Sequence, residues 1–101
     1  MNIRPVAKLY IDTTGQMFVS PKLEPGETYE YIYREANGLR WHKGLRALHA
    51  YEPQRWEPVE LLLHISATLK TAYDENLQIV ESTAWEGVPA ELQTEFLSVL
   101  S

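Results

Sequence analysis

The stretch over residues 29–42 constrains the fold more than any other part of this sequence. It holds three tyrosines at strict two-residue spacing, then an Asn-Gly pair, then a run that carries a tryptophan: Tyr29, Tyr31, Tyr33, Asn37, Gly38 and Trp41. Alternation is typical of a β-strand, and an Asn-Gly pair between two such runs favours a tight hairpin turn. We therefore expect a β-hairpin that turns at Asn37 and Gly38.

The predicted hairpin has two unlike faces. One carries Ile32, Leu39 and Trp41 and is apolar enough to be core. The other is aromatic and polar, and tyrosine is enriched at protein interfaces. Its residues are our candidates for an interface or a ligand-binding site: Tyr29, Tyr31, Tyr33, Arg40 and His42. A purely structural role, in which another layer half-buries the tyrosines, is equally compatible with the pattern.

An earlier hairpin is predicted by alternation and turn chemistry together. Residues 7–11 alternate between apolar and polar, and the Asp-Thr-Thr-Gly sequence at 12–15 favours a turn over residues 13–15. Residues 44–51 alternate more weakly, and we interpret them as a further short strand. The first hairpin has one self-consistent register, which makes these pairs: Ile11 with Met17, Leu9 with Val19, and Tyr10 with Phe18.

The second half of the sequence predicts a helix, a strand and a helix. Pro58 suits the first position of a helix, where its missing N–H is harmless. Asn76 is the predicted left-handed cap of that helix, and residues 77–81 follow as a short strand. A second helix is expected to begin at Pro89, with an apolar face made by these residues: Leu92, Phe96, Val99 and Leu100.

Together these elements predict a single α+β domain over residues 1–101. Its sheet is antiparallel, with four to five strands built from hairpins, and is followed by helix–strand–helix with the helices on one face. Two helices cover only one face of such a sheet, so aromatic residues such as Tyr10 and Phe18 are expected on the other face. Burying that face between two copies of the chain is the simplest remedy, and we therefore expect a homo-oligomer.

The charge of the chain is negative overall and unevenly distributed. The net charge of −5 argues against nucleic-acid binding, which needs a basic surface. Residues 1–56 hold eight Lys/Arg and six Asp/Glu, a net of +2, whereas residues 57–101 hold one and eight, a net of −7. Two halves of opposite charge can attract each other within one fold or between subunits, although plain solvation of acidic helices also fits.

The sequence contains no recognisable catalytic or ligand-binding motif. The absence of cysteine excludes disulfides, thiolate metal sites and cysteine nucleophiles. Glu60 and His64 have helical spacing, which is more typical of a surface contact than of a metal site. We predict neither a metal nor a cofactor, and the sequence does not decide whether the protein is an enzyme. Residues 1–5 lack a signal-peptide segment and no apolar run is of membrane-spanning length, so we expect a cytoplasmic protein without membrane contact.

Three segments of the sequence are similar to a known group of proteins. They are Pro-Gly-Glu-Thr-Tyr-Glu-Tyr-Ile-Tyr-Arg-Glu-Ala at 25–36, the return at 39–41, and Thr-Ala-Trp-Glu-Gly-Val-Pro at 83–89. The sequence resembles the small hypothetical proteins carried on mobile integron gene cassettes. The resemblance implies a compact bacterial α+β protein, often oligomeric, of unassigned function and without defined functional residues.

Three functional hypotheses from different classes follow. The first is a non-enzymatic binding or interaction protein that self-associates through an aromatic sheet face. The second is an inhibitor or antitoxin-like partner of another protein, which the small size and the acidic second half favour. The third is a small-ligand-binding protein or enzyme with a pocket of tyrosine, arginine and histidine around Arg40 and His42.

Overall fold

A computed structural model describes residues 2–35 and 38–100 of the chain. In chain order the elements are β1 (Asn2–Ile11), β2 (Met17–Pro21), a short 3-10 helix (Ile32–Arg34), β3 (Leu39–His42), β4 (Ala47–Ala50), a second 3-10 helix (Pro53–Arg55), α1 (Pro58–Tyr73), β5 (Glu75–Gln78), β6 (Ala84–Glu86) and α2 (Ala90–Leu100).

The six strands form one mixed sheet in the order β3-β4-β2-β1-β5, with β6 also paired to β1. β1 runs antiparallel to β2 but parallel to both β5 and β6. The α+β class is therefore confirmed, whereas the purely antiparallel sheet of four to five strands was wrong. The difference arises because α1 carries the chain back across the sheet before β5, and a crossover of this kind gives a parallel pair.

The first hairpin is confirmed in its register. Ile11 pairs with Met17, Leu9 with Val19, and Tyr10 with Phe18. Its turn is closed by backbone hydrogen bonds from Gly15 N to Asp12 O and from Asp12 N to Gln16 O, each 3.0 Å long. The local pattern was sufficient here because the pairing partners are close in sequence.

The hairpin predicted over residues 29–42 was wrong in its first arm. Tyr29 and Ile32 are both buried, and a spacing of three residues matches one turn of the 3-10 helix at Ile32–Arg34 rather than a strand. The returning run does form β3, but β3 pairs with β4, which confirms the short strand predicted within 44–51. Of the predicted turn, Asn37 lies outside the described residues, and Gly38 has a φ of +88°.

The two helices agree with the sequence pattern apart from their ends. α1 begins at Pro58 as predicted, but the left-handed residue that ends it is Asp74, with a φ of +54°, and not Asn76. β5 therefore starts at once, at Glu75, and ends before the predicted 77–81 segment does. α2 begins at Ala90, directly after Pro89.

Strand β6 was not predicted. The residue that follows it, Gly87, allows the backbone to pass close to the end of β1. Gly87 follows the strand with a φ of +69°. A Cβ atom at this position would lie 2.2 Å from the carbonyl oxygen of Ile11, far inside van der Waals contact. Only glycine therefore fits at the point where the chain leaves β6.

One apolar core holds the helices, the first 3-10 helix and one face of the sheet together. It includes Leu62 and Ile65 of α1, Phe96 of α2, and Ile32. The strands contribute these residues from their core side: Val6, Leu9, Met17, Val19, Leu39, Leu48, Ala50 and Leu77. Both helices thus cover the same face of the sheet. Among the described residues, no helix combines the length and apolar character needed to cross a membrane.

A buried polar network closes the end of the sheet beside β5. The carboxylate of Glu75 accepts hydrogen bonds from Arg4 Nη2 at 2.5 Å and from the Tyr29 hydroxyl at 2.5 Å. Arg4 also donates to Glu27, at 3.1 and 3.2 Å. Burial of a carboxylate is tolerated when charge and hydrogen bonds compensate it. The network therefore anchors the 22–31 segment on β1 and β5.

We expect Phe96→Ala to lower the free energy of unfolding by about 3–5 kcal/mol, the usual cost of removing a fully buried aromatic ring. Phe96 is 0% exposed and stacks on Trp85. The matched control on the same helix is Val99→Ala, since Val99 is 37% exposed and its loss should cost under about 1 kcal/mol. Equal effects in urea denaturation would contradict the placement of α2 on the core.

A second prediction concerns Tyr29 at high pH. Burial raises the pKa of the Tyr29 hydroxyl above its usual range, and its hydrogen bond to Glu75 adds to the effect. Above about pH 10 the unfolded chain loses this proton while the folded protein keeps it, so stability falls as pH rises, by up to about 1.4 kcal/mol per pH unit from this residue. Tyr29→Phe should be less stable near neutrality and should fall less steeply above pH 10.

Urea denaturation at several alkaline pH values measures this slope. Ile32→Val is the control, because it changes packing beside Tyr29 without removing a titrating group and should keep the wild-type slope. If Tyr29→Phe and the wild type lose stability in parallel, the buried hydroxyl is not the group responsible.

Candidate interaction surface

The sheet face opposite the helices carries a line of aromatic and charged side chains. Leu9, Val19, Leu48 and Leu39 point into the core. Successive side chains of a strand alternate between faces, so the neighbours of these leucines and of Val19 point outward. One outward-facing residue from each of these four strands, together with Glu86 of β6, makes up what we call the outer row: Glu86, Tyr10, Phe18, His49 and Arg40.

The strand registers place the outer row in a straight line across five strands. Tyr10 pairs with Glu86 on one side and with Phe18 on the other. The pairing of Val19 with Leu48 brings Phe18 opposite His49, and His49 pairs with Arg40. Adjacent strands lie about 4.8 Å apart, so the row is about 19 Å long. It runs from a carboxylate at one end to a guanidinium at the other.

The centre of the row is a packed aromatic cluster. Phe18 stacks on Tyr10 with ring centroids 5.6 Å apart, and the rings of His49 and His42 lie 5.5 and 5.6 Å from it. Phe18 is only 7% exposed although no helix covers it. The neighbouring rings therefore form an amphipathic lid over Phe18, and their own outer surfaces face solvent.

The turn before β2 fixes the position of this cluster. One carboxylate oxygen of Asp12 accepts hydrogen bonds from the Thr14 hydroxyl at 2.6 Å, from Thr14 N at 2.9 Å and from Gln16 N at 3.0 Å. These bonds, the hydroxyl first, hold the pKa of Asp12 below its usual range. The turn sets the register that makes Tyr10 and Phe18 neighbours.

The two histidines are oriented by hydrogen bonds within the fold. Leu45 N donates to His42 Nδ1 at 3.0 Å, across the turn between β3 and β4. His49 Nδ1 lies 3.1 Å from both Gln16 Nε2 and the Ala50 carbonyl. The ring centroids of the two histidines are 5.9 Å apart. Within residues 2–35 and 38–100, no group of three or more His, Asp or Glu side chains is arranged to hold a metal ion.

The basic end of the row is built from arginines on tyrosine rings. The Arg40 guanidinium lies 4.5 Å from the centroid of Tyr51 and 5.9 Å from that of Tyr33. Arg34 lies 4.5 Å from the ring of Tyr31 and 5.7 Å from Tyr33. Such contacts hold a guanidinium in place while its edge remains available to an anion.

A cleft of about 340 Å³ opens beside this end. Its walls include Arg40, Tyr51, Arg55 and Trp56. Arg55 is paired with Glu52 at 3.1 Å, which partly neutralises the cleft. The cleft is open, and among the described residues its lining has a tyrosine and arginines of the hypothesised tyrosine, arginine and histidine pocket but not His42.

The structure separates the predicted site residues into two groups. Arg40 and His42 lie on the outer face, Tyr33 lies beside Arg40, and Tyr31 is exposed next to Tyr33, with ring centroids 6.5 Å apart. Tyr29 does not, because it is 3% exposed and packs on Trp41 and Tyr73 from the core side. The shared face expected for the three tyrosines was therefore wrong, since their segment is not a strand.

Other residues of the surface had weaker sequence signals. The uncovered aromatic pair Tyr10 and Phe18 followed from the first hairpin. His49 alternates with Leu48 and Ala50 in the segment that the sequence marked as a strand, but its pairing with Arg40 depends on β3. Nothing local pointed to Glu86, because β6 forms only against β1.

A second exposed apolar region lies on the helix side. Leu63 of α1 and Val99 of α2 line a groove of about 420 Å³ whose floor includes Leu77 of β5. Lys70 and Gln78 flank it. This groove and the outer row are on opposite sides of the sheet. A substitution in one of them therefore tests an interaction of that surface without altering the other.

Comparison with known proteins places this chain beside a protein of known structure. No model of a protein family matches the chain, and no curated protein matches it. An integron cassette protein from the mobile metagenome of the North West Arm sewage outfall is 33% identical in sequence, over 97% of this chain and 95% of that one, with a TM-score of 0.46. The relationship rests on the sequence identity, which extends over nearly the full length of both chains.

The environment of His49 predicts a pH dependence of stability. Burial lowers the pKa of His49, and the nearby His42 and Arg40 act in the same direction against the Ala50 carbonyl. As the pH falls through about 6.5, the unfolded chain binds a proton here before the folded protein does, so the free energy of unfolding decreases. His49→Gln should therefore show a smaller loss of stability between about pH 7.5 and pH 5.5 than the wild type.

Denaturation curves at the two pH values measure the difference. Ala84→Gln is the control, because it places the same amide on the outer side of the sheet without removing a titrating group. A loss of stability in His49→Gln as large as in the wild type would contradict the assignment.

Proposed function

This chain belongs to the family of small integron cassette proteins, and we propose that it is a non-enzymatic cytoplasmic interaction protein that self-associates through the outer face of its sheet. The resemblance of segments 25–36 and 83–89 to that family is confirmed by the 33% identity over 97% of the chain. The proposal on function is carried by one observation, the aromatic and charged outer row on the sheet face opposite α1 and α2.

The composition of this face supports an interface. Aromatic residues and arginine are enriched among the residues that dominate the energetics of protein contacts. An aromatic side chain in particular buries a large area and loses little conformational entropy. Here Tyr10, His42 and Tyr51 present ring surface to solvent, and Arg40 is already held on Tyr51. Preorganised side chains of this kind lower the entropic cost of association.

The same face also indicates how strong the contact is. Because Tyr10 and the two histidines already shield Phe18, the outer face exposes little of that ring before association. We expect a dimer held by such a mixture of aromatic and charged side chains to be reversible. It should dissociate on dilution, with a dissociation constant in the micromolar range.

The cleft beside Arg40 favours a second candidate function, the binding of a small anionic ligand. Arg40 and Arg55 would supply charge, and Tyr51 and Trp56 would supply ring surface. Such a protein would be a monomer that binds ligand without self-association. The oligomeric state therefore separates the two functions.

We expect the wild-type protein to run as a dimer at roughly 50 µM in size-exclusion chromatography with light scattering, and to dissociate at about 1 µM or below. Tyr10→Glu should be monomeric at the higher concentration, because it places an unpaired carboxylate in the contact. Lys8 Nζ lies 5.2 Å from the Tyr10 ring and can accommodate the charge in the monomer. His42→Glu is a second variant at an exposed position on the same face.

Leu63→Glu is the matched control, because Leu63 is exposed on α1 in the opposite groove. It should leave the dimer unchanged, and circular dichroism checks that each variant is folded. A wild-type monomer at roughly 50 µM would overturn the proposal. A dimer that Leu63→Glu abolishes and Tyr10→Glu does not would place the contact in the groove.

A further inference from the structure

We propose that two copies of this chain pack outer face to outer face about a two-fold axis parallel to the strands, so that Glu86 of each copy meets the partner's Arg40. This inference rests on the proposed self-association and specifies its geometry. The opposite charges at the two ends of the outer row determine which residues meet across the contact and the direction of its two-fold axis.

The two ends of the outer row carry opposite charges that the fold leaves available. Arg40 forms no ion pair with any residue in the described ranges 2–35 and 38–100, and its Nη1 donates only to the Leu39 carbonyl. Glu86 forms an ion pair with Lys8 at 2.6 Å, and the two side chains are 55% and 41% exposed. A surface pair of this kind contributes little by itself, and a carboxylate with two oxygens can accept a second cation.

Two ways of stacking this face on a copy of itself differ in their electrostatics. A two-fold axis parallel to the row preserves positions along it, so Glu86 would face the partner's Glu86 and Arg40 the partner's Arg40. An axis parallel to the strands reverses the row, so each carboxylate faces a guanidinium. Like charges opposed across a contact are unfavourable, and only the second arrangement avoids them.

The length of the outer row ensures that the two arrangements differ in electrostatic energy. The row is about 19 Å long, close to two Debye lengths at 0.1 M salt. Each end therefore responds mainly to the charge placed over it and not to the far end of the same face. Because the axis is two-fold, the proposed contact has two equivalent Glu86–Arg40 pairs, one at each end of the row, and the two pairs form together.

The centre of the row is compatible with the same symmetry. Phe18 is the middle residue of the five and would lie near the axis. Tyr10 of one copy then lies over the partner's His49, and ring against ring is a favourable pairing at interfaces. Stacked sheets pack about 10 Å apart, which leaves room for one layer of side chains from each face.

The wider charge distribution agrees with the proposed direction. The charged residue of strands β3, β4 and β2 is Arg40, whereas β5 and β6 carry Glu75 and Glu86. The sheet is therefore basic at its β3 end and acidic at its β6 end. Reversal of the row places the acidic end of one copy on the basic end of the other.

Charge reversal tests the geometry. Glu86→Arg alone and Arg40→Glu alone should each weaken the dimer by roughly tenfold or more, because both symmetric pairs become repulsive. An equimolar mixture of the two variants should regain dimers, since every cross-contact then joins opposite charges. Light scattering of each variant and of the mixture, at low and high salt, measures this.

Glu95→Arg is the control for the change in net charge, because Glu95 is exposed on α2 away from the outer face. It should neither weaken the dimer nor pair with Arg40→Glu in a mixture. If Arg40→Glu does not fold, Arg40→Gln is the second variant. It removes the charge without reversing it and should weaken the dimer less than Arg40→Glu does.

The outcomes separate this geometry from the proposed function. If the wild type is monomeric, both are wrong. If the wild type is a dimer that Tyr10→Glu disrupts, but the charge variants do not weaken it or the mixture does not restore it, the outer face is the interface and the paired ends are wrong. Restoration in the mixture, lost at high salt, is the result that the geometry requires.

Discussion

The long strand β1 is the constraint on which the rest of the structure depends. Its second half, from Val6 to Ile11, pairs with β2 along one side, while along the other side Asn2–Pro5 pairs with β5 and Lys8–Tyr10 pairs with β6. A register irregularity between Val6 and Lys8 separates the halves, and the Val6 carbonyl there accepts a hydrogen bond from the buried Thr83 hydroxyl at 2.6 Å. Because β1 joins all these partners, it brings the acidic β6 into line with the basic hairpin of β3 and β4.

The parts of the fold that the sequence predicted are those decided by neighbouring residues. The first hairpin, the start of α1 at Pro58 and the position of α2 all depend on patterns within a dozen residues. The parallel pairings of β5 and β6 were not predictable in this way, because each strand has three or four residues and gains its stability only against β1. Gly87 is a local cue, since glycine readily takes the positive φ that it has here, but it does not identify the partner strand.

The tyrosine triplet shows how one pattern can satisfy two structures. Two-residue spacing of Tyr29, Tyr31 and Tyr33 indicated a strand, but the residues that the core requires are Tyr29 and Ile32, at helical spacing. The deciding interaction is not local, because the Tyr29 hydroxyl bonds to Glu75, forty-six positions away. Of the predicted candidates, Arg40 and His42 do lie on the uncovered face, since β3 alternates as expected even though its partner is β4.

In the dimer that we propose, the outer face would make a specific contact and would also have to remain soluble in the monomer, and its composition suits both requirements. A face of aliphatic side chains would associate strongly and without preference for orientation, whereas charged ends reject the wrong arrangements and add little affinity. The amphipathic lid over Phe18 reduces the apolar area that is exposed before association. A row with a carboxylate at one end and a guanidinium at the other is complementary to its own reverse, so in the dimer that we propose the side chains that limit indiscriminate aggregation would also select a closed pair of copies over an open chain.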